Sequence, residues 1–376
     1  MVQKTIGIVG GGQLGRMLTL SAHQMGYKVI VIDPSENCPA AQVGAKQIKA
    51  GLKDANAIKK LAEYSDVITI EVEHVDVDSL EELANSGFPV HPSPATIKII
   101  NDKLLQKQFL VDAGIPVAPF VGINDLEDAK KALKKFKGKM IIKTRQGGYD
   151  GRGNIVVDSP SKIKQAFKQF AGKPVYAEGY VPFSKELAAM VARTTKGDIK
   201  LYPIVETVHK RNICIEVIAP AEVNNKIIKK AEAIVRKVAK NLNGAGVFGI
   251  ELFLTKNGSV IVNEIAPRVH NSGHYTTEAN STSQFEQHIR AILGLPLGST
   301  ELVVNNAVMV NILGERDGPT VVAGLDKSLK IPNVKVHIYG KSPTKIDRKM
   351  GHITATGKTL QSAKLKANKA RRNLSV

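Results

Sequence analysis

The 376-residue chain has no tryptophan, two cysteines and 5% aromatic residues. None of its apolar runs approaches the roughly 20 residues needed to cross a bilayer, so no membrane partner is expected. Cys38 and Cys214 supply neither a disulfide framework nor a zinc site, which makes a reducing cytoplasm the expected compartment. The first residues run straight into an apolar stretch, without the basic region and cleavage site of a leader. Acids are scarce too: 34 Asp and Glu stand against 53 Lys and Arg, a net charge of +19. Such a field attracts anions. With few aromatics and no zinc-finger or RNA-recognition pattern, a solvated basic face is the expected reading, ahead of nucleic-acid binding. Part of the excess is local, because Arg348 to Val376 holds eight Lys or Arg and no acid. That stretch reads as a basic helix or a frayed tail. The rest is ordinary globular composition, 43% hydrophobic and 23% charged, enough for two or three domains with substantial cores.

Apolar runs at 5–9, 28–32 and 67–72, separated by helical stretches, predict βαβ units and a parallel sheet. The prolines of "HPSPATI" mark a boundary near residue 95, and "IINDKLLQKQFLVDAG" predicts one helix closed by Gly114. "FKGKMIIKTRQGGYDGRGNIVV" reads as strand, glycine-rich loop, strand. Residues 185–220 and 246–264 are strand-rich, and short strands follow from about 299.

Four stretches carry chemistry. In "GIVGGGQLGRM", Gly10, Gly12 and Gly15 fit G-x-G-x-x-G, and Asp33 ends the next strand, the layout of a dinucleotide fingerprint. Taken alone, it suggests NAD. In "KTRQGGYDGRGN", Gly147, Gly148, Gly151 and Gly153 allow close backbone approach, with Lys143 at the base and Arg145 and Arg152 flanking. Successive amides in such a loop make an anion nest suited to a polyphosphate, although no GK[ST] pair makes it a Walker loop. "VFGIELFLTKNGSVIVNEIAPR" is a hairpin around Asn257-Gly258. If those two residues form the loop, Glu251 falls opposite Glu264 on the same face, with Cβ atoms about 5 Å apart. Two such carboxylates repel by about 1–4 kcal/mol and are best tolerated with a divalent cation between them, Mg2+ by ligand type. A solvent-facing hairpin, or one slipped by a residue, is the competing reading. "NEIAPRVHNSGH" holds Arg268, His270, Asn271 and His274; Ser272 and Gly273 argue for a substrate-contact loop over a zinc-binding helix. The basic turn with Lys341, Arg348 and Lys349 suits a phosphate monoester or a solvated charge run.

In this order, covering nearly the whole chain, "GIVGGGQLGRM", "VIDPSENCPA", "ITIEVEHV", "KTRQGGYDGRG", "NEIAPRVHNSGHYT" and "HIYGK…RKMGH" resemble the ATP-grasp superfamily. Within it they are similar to the N5-carboxyaminoimidazole ribonucleotide synthetases. The resemblance implies an ATP-grasp fold of mixed α/β and α+β class. A Rossmann-like parallel-sheet domain would span 1–97, an ATP-grasp domain 98–298 with a lid at about 117–178, and a small β-rich C-terminal domain 299–376. It implies carboxylation of 5-aminoimidazole ribonucleotide with ATP and bicarbonate, giving ADP and phosphate, in a cytoplasmic homodimer using two Mg2+ ions. A formate-dependent glycinamide ribonucleotide transformylase is the nearest alternative.

The same resemblance implies residue roles. Lys103 and Lys143 would contact ATP phosphates, and Gly148, Tyr149, Asp150, Gly151, Arg152, Gly153 and Asn154 would fold over them. Glu178, Gly179, Tyr180 and Val181 would line the adenine through main-chain bonds, with Glu186 at the ribose and His209 nearby. Glu251 and Glu264 would hold Mg2+, with Asn263 beside the nucleotide. Gly12, Gln13 and Leu14, at a helix N-terminus, would meet the ribonucleotide at its phosphate. Asp33 is then no NAD ribose ligand. Glu73, His270, Asn271, Lys341 and Arg348 would complete the ribonucleotide and bicarbonate site, and Asp150, Arg152 and Arg268 would orient the reacting groups. The family usually has Arg where this chain has Lys103, which keeps the charge and loses the planar fork.

Overall fold

The computed structural model describes residues 3–148 and 153–376. Strands β1 (Thr5–Val9), β2 (Lys28–Asp33), β3 (Lys46–Lys49) and β4 (Val67–Ile70) form a parallel sheet in the order β3-β2-β1-β4. The near-continuous apolar sequences of β1, β2 and β4 are those of strands covered on both faces, and Ile6, Ile8, Ile32 and Ile70 are fully buried. A second sheet joins β5 (Phe120–Ile123), β6 (Met140–Thr144), β7 (Asn154–Val157) and β8 (Val175–Gly179), all antiparallel, in the order β5-β8-β6-β7. Its glycine-rich 145–153 segment links β6 to β7.

The largest sheet is built on β9 (Phe183–Arg193), with β10 (Ile199–Leu201), β11 (Val205–Lys210), β12 (Ile213–Ala219), β13 (Gly246–Thr255), β14 (Val260–Ala266), β15 (Asn306–Leu313), β16 (Val334–Ile338) and β17 (Lys349–Gly357). The strands beyond residue 299 therefore extend this sheet through β12–β15 pairing, and two of them are long. Alternation along β9 sends Leu187, Ala189 and Val191 into one core and Met190 and Ala192 into another. The first core is closed by the helix Asn225–Asn241, whose Ile227, Ala231, Val235 and Val238 form one apolar stripe capped by Asn224. The second is closed by the first domain's helix Gln13–Gln24 and the helix Gln284–Ile292, so the parallel sheet is docked onto the large one.

Two local expectations need correction. The single helix expected over 99–114 is two helices, Pro94–Asn101 and Lys103–Asp112, because Asp102 is extended and caps the second by accepting from the Leu104 and Leu105 amides. The basic C-terminus is no frayed tail: Leu360–Asn373 is a helix whose Ala363, Ala367 and Ala370 are fully buried against β15 and β17. Several of its cations have partners, Lys364 on Glu216 and Arg371 on Glu315.

Candidate active site

Glu251 on β13 pairs directly with Glu264 on β14, as the hairpin register implies, but by a different route. The loop is three residues, 256–258, closed by the Thr255–Ser259 pair, with Gly258 at φ +78°. A β-bulge between Glu251 and Leu252 then absorbs the extra residue, so Leu252 pairs with Val262 and Glu251 still meets Glu264. Asn263 is the bulged residue, and its amide donates to Glu251 Oε2 at 3.2 Å. The bulge thus turns two successive side chains toward one face. Ala188 of β9 is the partner of Glu251 on the other side and leaves room beside it. The carboxylates are open to the groove, with side chains 28% and 40% exposed for Glu251 and Glu264. Burial and then the charge of Glu264 push the Glu251 carboxyl up to about 7. Burial acts the same way on Glu264, but Lys103, 2.6 Å away, outweighs it and keeps its pKa low.

Lys103 starts the helix Lys103–Asp112, and Asp102 before it holds Arg145 through two bonds to Nε at 2.9 and 3.0 Å. Lys143 of β6 and Tyr176 and Glu178 of β8 share one face of the small sheet, since Lys143 pairs with Tyr176. Lys143 lies 3.2 Å from Glu178 and is nearly buried. The Glu178 side chain is therefore committed inward; the segment Gly179–Val181 leads on to β9, with Tyr180 stacked under Lys139. Gly148, Gly153 and Asn154 border the glycine-rich stretch between β6 and β7, Gly153 at φ +91°. Tyr149, Asp150, Gly151 and Arg152 lie outside the described residues. Glu186 on β9 and His209 on β11 are 3.2 Å apart; burial lowers the imidazole's affinity for a proton, but Glu186 and then Glu251 raise it above normal.

On the other side of the acids, Arg268 pairs with Glu73 at 2.8 Å, and His270 Nε2 lies 3.7 Å from Glu251. Burial, then Arg268 and Lys349, drive His270 down to about 3, so it is neutral. Asn271 is spent on a reciprocal amide pair with Asn311, at 2.7 and 3.0 Å. Lys341 donates to the Lys349 carbonyl, and Arg348 to the Pro343 carbonyl within its own turn. His270 and His274 flank a 3-10 turn and do not face one ion: His270 bonds Ser272 and His274 bonds Gln284. Glu278, His337 and His352 gather nearby, but the two imidazoles stack at 4.4 Å and 11°. An ion about 2 Å from a nitrogen in each ring plane does not fit between parallel rings.

The first glycine turn is occupied from within. Glu71, buried after β4, accepts from the Gly12 and Gly15 amides at 2.6 Å each, and Asp33 accepts from Gly11 at 3.0 Å. Burial raises the Glu71 carboxyl against the pull of those two amides. Leu14 points into the core. A phosphate at this turn would have to use the amides of Gln13 and Leu14, not that of Gly12. Sequence reading missed Glu71, although the acid in "ITIEVEH" sits where a strand end meets a helix N-terminus. It also missed Gln106 and Lys107, which hydrogen-bond to the backbone of β14.

The chain matches three domain families in order: the ribonucleotide synthetase preATP-grasp domain over 3–101, the ATP-grasp domain over 108–285 and the phosphoribosylaminoimidazole carboxylase C-terminal domain over 307–366. It is 42% identical over 349 residues to the N5-carboxyaminoimidazole ribonucleotide synthase of Bacillus subtilis, covering 93% of this chain and 90% of that one. The N5-carboxyaminoimidazole ribonucleotide synthetase of Thermotoga maritima superposes with a TM-score of 0.90 at 46% identity over 99% of both chains. The N5-carboxyaminoimidazole synthase of Aspergillus clavatus, solved with ADP and 5-aminoimidazole ribonucleotide, superposes with a TM-score of 0.91 at 38% identity over 98% of this chain and 99% of that one. Several longer phosphoribosylaminoimidazole carboxylases also match, and the chain spans 63 to 68% of their length.

Proposed function

This chain belongs to the N5-carboxyaminoimidazole ribonucleotide synthase family of ATP-grasp enzymes, and from that membership we infer that it carboxylates 5-aminoimidazole ribonucleotide at the expense of ATP. Bicarbonate supplies the carbon, and ADP and phosphate are released. The observation that carries this reading is the facing pair Glu251 and Glu264, flanked by Lys103 and by the Lys143 strand of the glycine-rich lid. A dehydrogenase reading of the first glycine turn leaves that pair unexplained, and Glu71 fills the turn.

Bicarbonate is a poor electrophile, so a phosphoryl group from ATP must activate it, and water must be kept from the activated species. Lys103 and Lys143 offset charge on the phosphates. The lid, with Gly148, Gly153 and Asn154 at its described edges, closes over them and excludes water. Gly179, Tyr180 and Val181 present main chain to the adenine, and Glu186 and His209 meet the ribose. The donor chemistry of Glu251 and Glu264, hard oxygens turned to one face, fits Mg2+, which when bound neutralises phosphate charge. Arg268, held by Glu73, offers its guanidinium to an anion beside neutral His270. Lys341 and Arg348 receive the ribonucleotide phosphate, with Gln13 at the helix start, and Asp150 and Arg152 orient the amine. The divisions at 97 and 298, a homodimer and a cytoplasmic location belong to the same reading.

Phosphate release from ATP is expected to rise strongly when 5-aminoimidazole ribonucleotide and bicarbonate are added together. Stimulation by glycinamide ribonucleotide with formate, and none by the aminoimidazole substrate, would reassign the chain to a different ATP-grasp ligase.

A further inference from the structure

One lysine of the nucleotide groove has no part in the roles above. Lys107 lies one turn after Lys103 on the same helix face and is 2% exposed. Its ammonium donates to the carbonyls of Asn263 at 2.9 Å and Val262 at 3.4 Å, and stands 3.4 Å from Glu178 Oε2. That same oxygen is 3.2 Å from Lys143 Nζ and accepts from the Tyr176 hydroxyl at 3.1 Å. Helix, small sheet and the outer edge of the large sheet thus converge on one buried carboxylate oxygen.

The charges do not balance: two ammonium groups share one carboxylate, leaving one positive charge in excess. A carboxylate divided between two cations holds each less firmly than it would hold one alone, and in a buried pocket that difference is amplified. The Lys107 amine is lowered to about 8 by burial, and the two lysines together hold Glu178 down to about 2 against its own burial.

We propose that Lys107 is a positioning residue for ATP: by taking one side of Glu178, it keeps that carboxylate from claiming Lys143 and leaves the Lys143 ammonium for a phosphate. The proposal rests on reading this groove as the ATP site. Without Lys107 the pocket is neutral, and Lys143 must break an unshared buried ion pair to reach the nucleotide. Removing the Glu178 charge as well restores the single positive charge of the wild-type pocket.

The test is titration calorimetry with Mg·ATP alone, with thermal melting as the check on folding. Lys107→Gln, which keeps a donor for the β14 carbonyls and loses the charge, is expected to bind Mg·ATP about tenfold more weakly. Lys107→Gln/Glu178→Gln is expected to return to within about threefold of wild type. Near-wild-type binding by the single variant would mean that Lys107 only pins the strand. A double variant no better than the single one would overturn the charge argument too. If only the double variant folds, binding within threefold of wild type supports the proposal and a tenfold loss overturns it. A wild-type chain that does not bind Mg·ATP would remove the ATP reading itself, whereas a failed rescue in a chain that binds removes only the role of Lys107.

Discussion

Glu71 takes the place at the first glycine turn that a ligand phosphate takes in a dinucleotide site, and it does so with the protein's own charge. Glu71→Ala strands two amides at the start of the helix Gln13–Gln24, and is expected to lower unfolding free energy by about 2–3 kcal/mol in urea titration. At the acid pair the effect falls on chemistry. Glu264→Gln removes a charge that Lys103 and the proposed cation share, and should reduce phosphate release about a hundredfold or more while leaving the circular dichroism spectrum unchanged. Lys103→Arg restores a planar fork at that end of the groove, and a two- to threefold lower KM for ATP, roughly, is the expected result of steady-state kinetics.

At the level of elements, the hairpin shows how a sequence pattern can be right in outcome and incomplete in cause. Asn257-Gly258 announces the reversal, but the loop holds three residues and the bulge at Asn263 resets the register. Nothing in "LFLTKNGSVIVNE" marks that bulge, because its benefit, turning Asn263 and Glu264 to one face, exists only once β13 is paired. Gly258 sits at the tip in a left-handed conformation, with no atom near the position of a Cβ. Gly258→Ala should therefore cost about 1 kcal/mol in a denaturant midpoint, from backbone strain alone, and leave ATP turnover as it was. The break at Asp102 has the same character. The apolar periodicity runs through it, and only the two capped amides and Arg145 make the interruption favourable.

Across the whole molecule, buried histidines tie stability to pH. His91, His274, His288 and His352 are all held below their ordinary pKa, by burial before any other cause, His288 down to about 3. The unfolded chain protonates them near 6.5, whereas the folded chain does not, so below that pH the unfolded state binds more protons. Stability should fall as pH drops from about 6.5 toward 4, by roughly 1.4 kcal/mol per unit for His288, with the other three acting in the same direction. Urea midpoints across that range would check it, and a flat profile would contradict it. His288→Gln, able to keep the bonds to Thr69 and the Val247 amide, should make the slope shallower.

Periodicity, turn residues and glycine spacing belong to short stretches of chain, so the sequence alone determined the parallel first sheet, the strands on either side of the glycine-rich loop and the reversal that brings β14 back beside β13. Tertiary structure decided what depends on residues far apart in the chain: Glu71 filling a turn 56 residues before it, Lys107 and Lys143 sharing Glu178, and the C-terminal strands joining the large sheet. A buried charge is tolerable only beside its partners, and which partners arrive is set by packing, which no local pattern records.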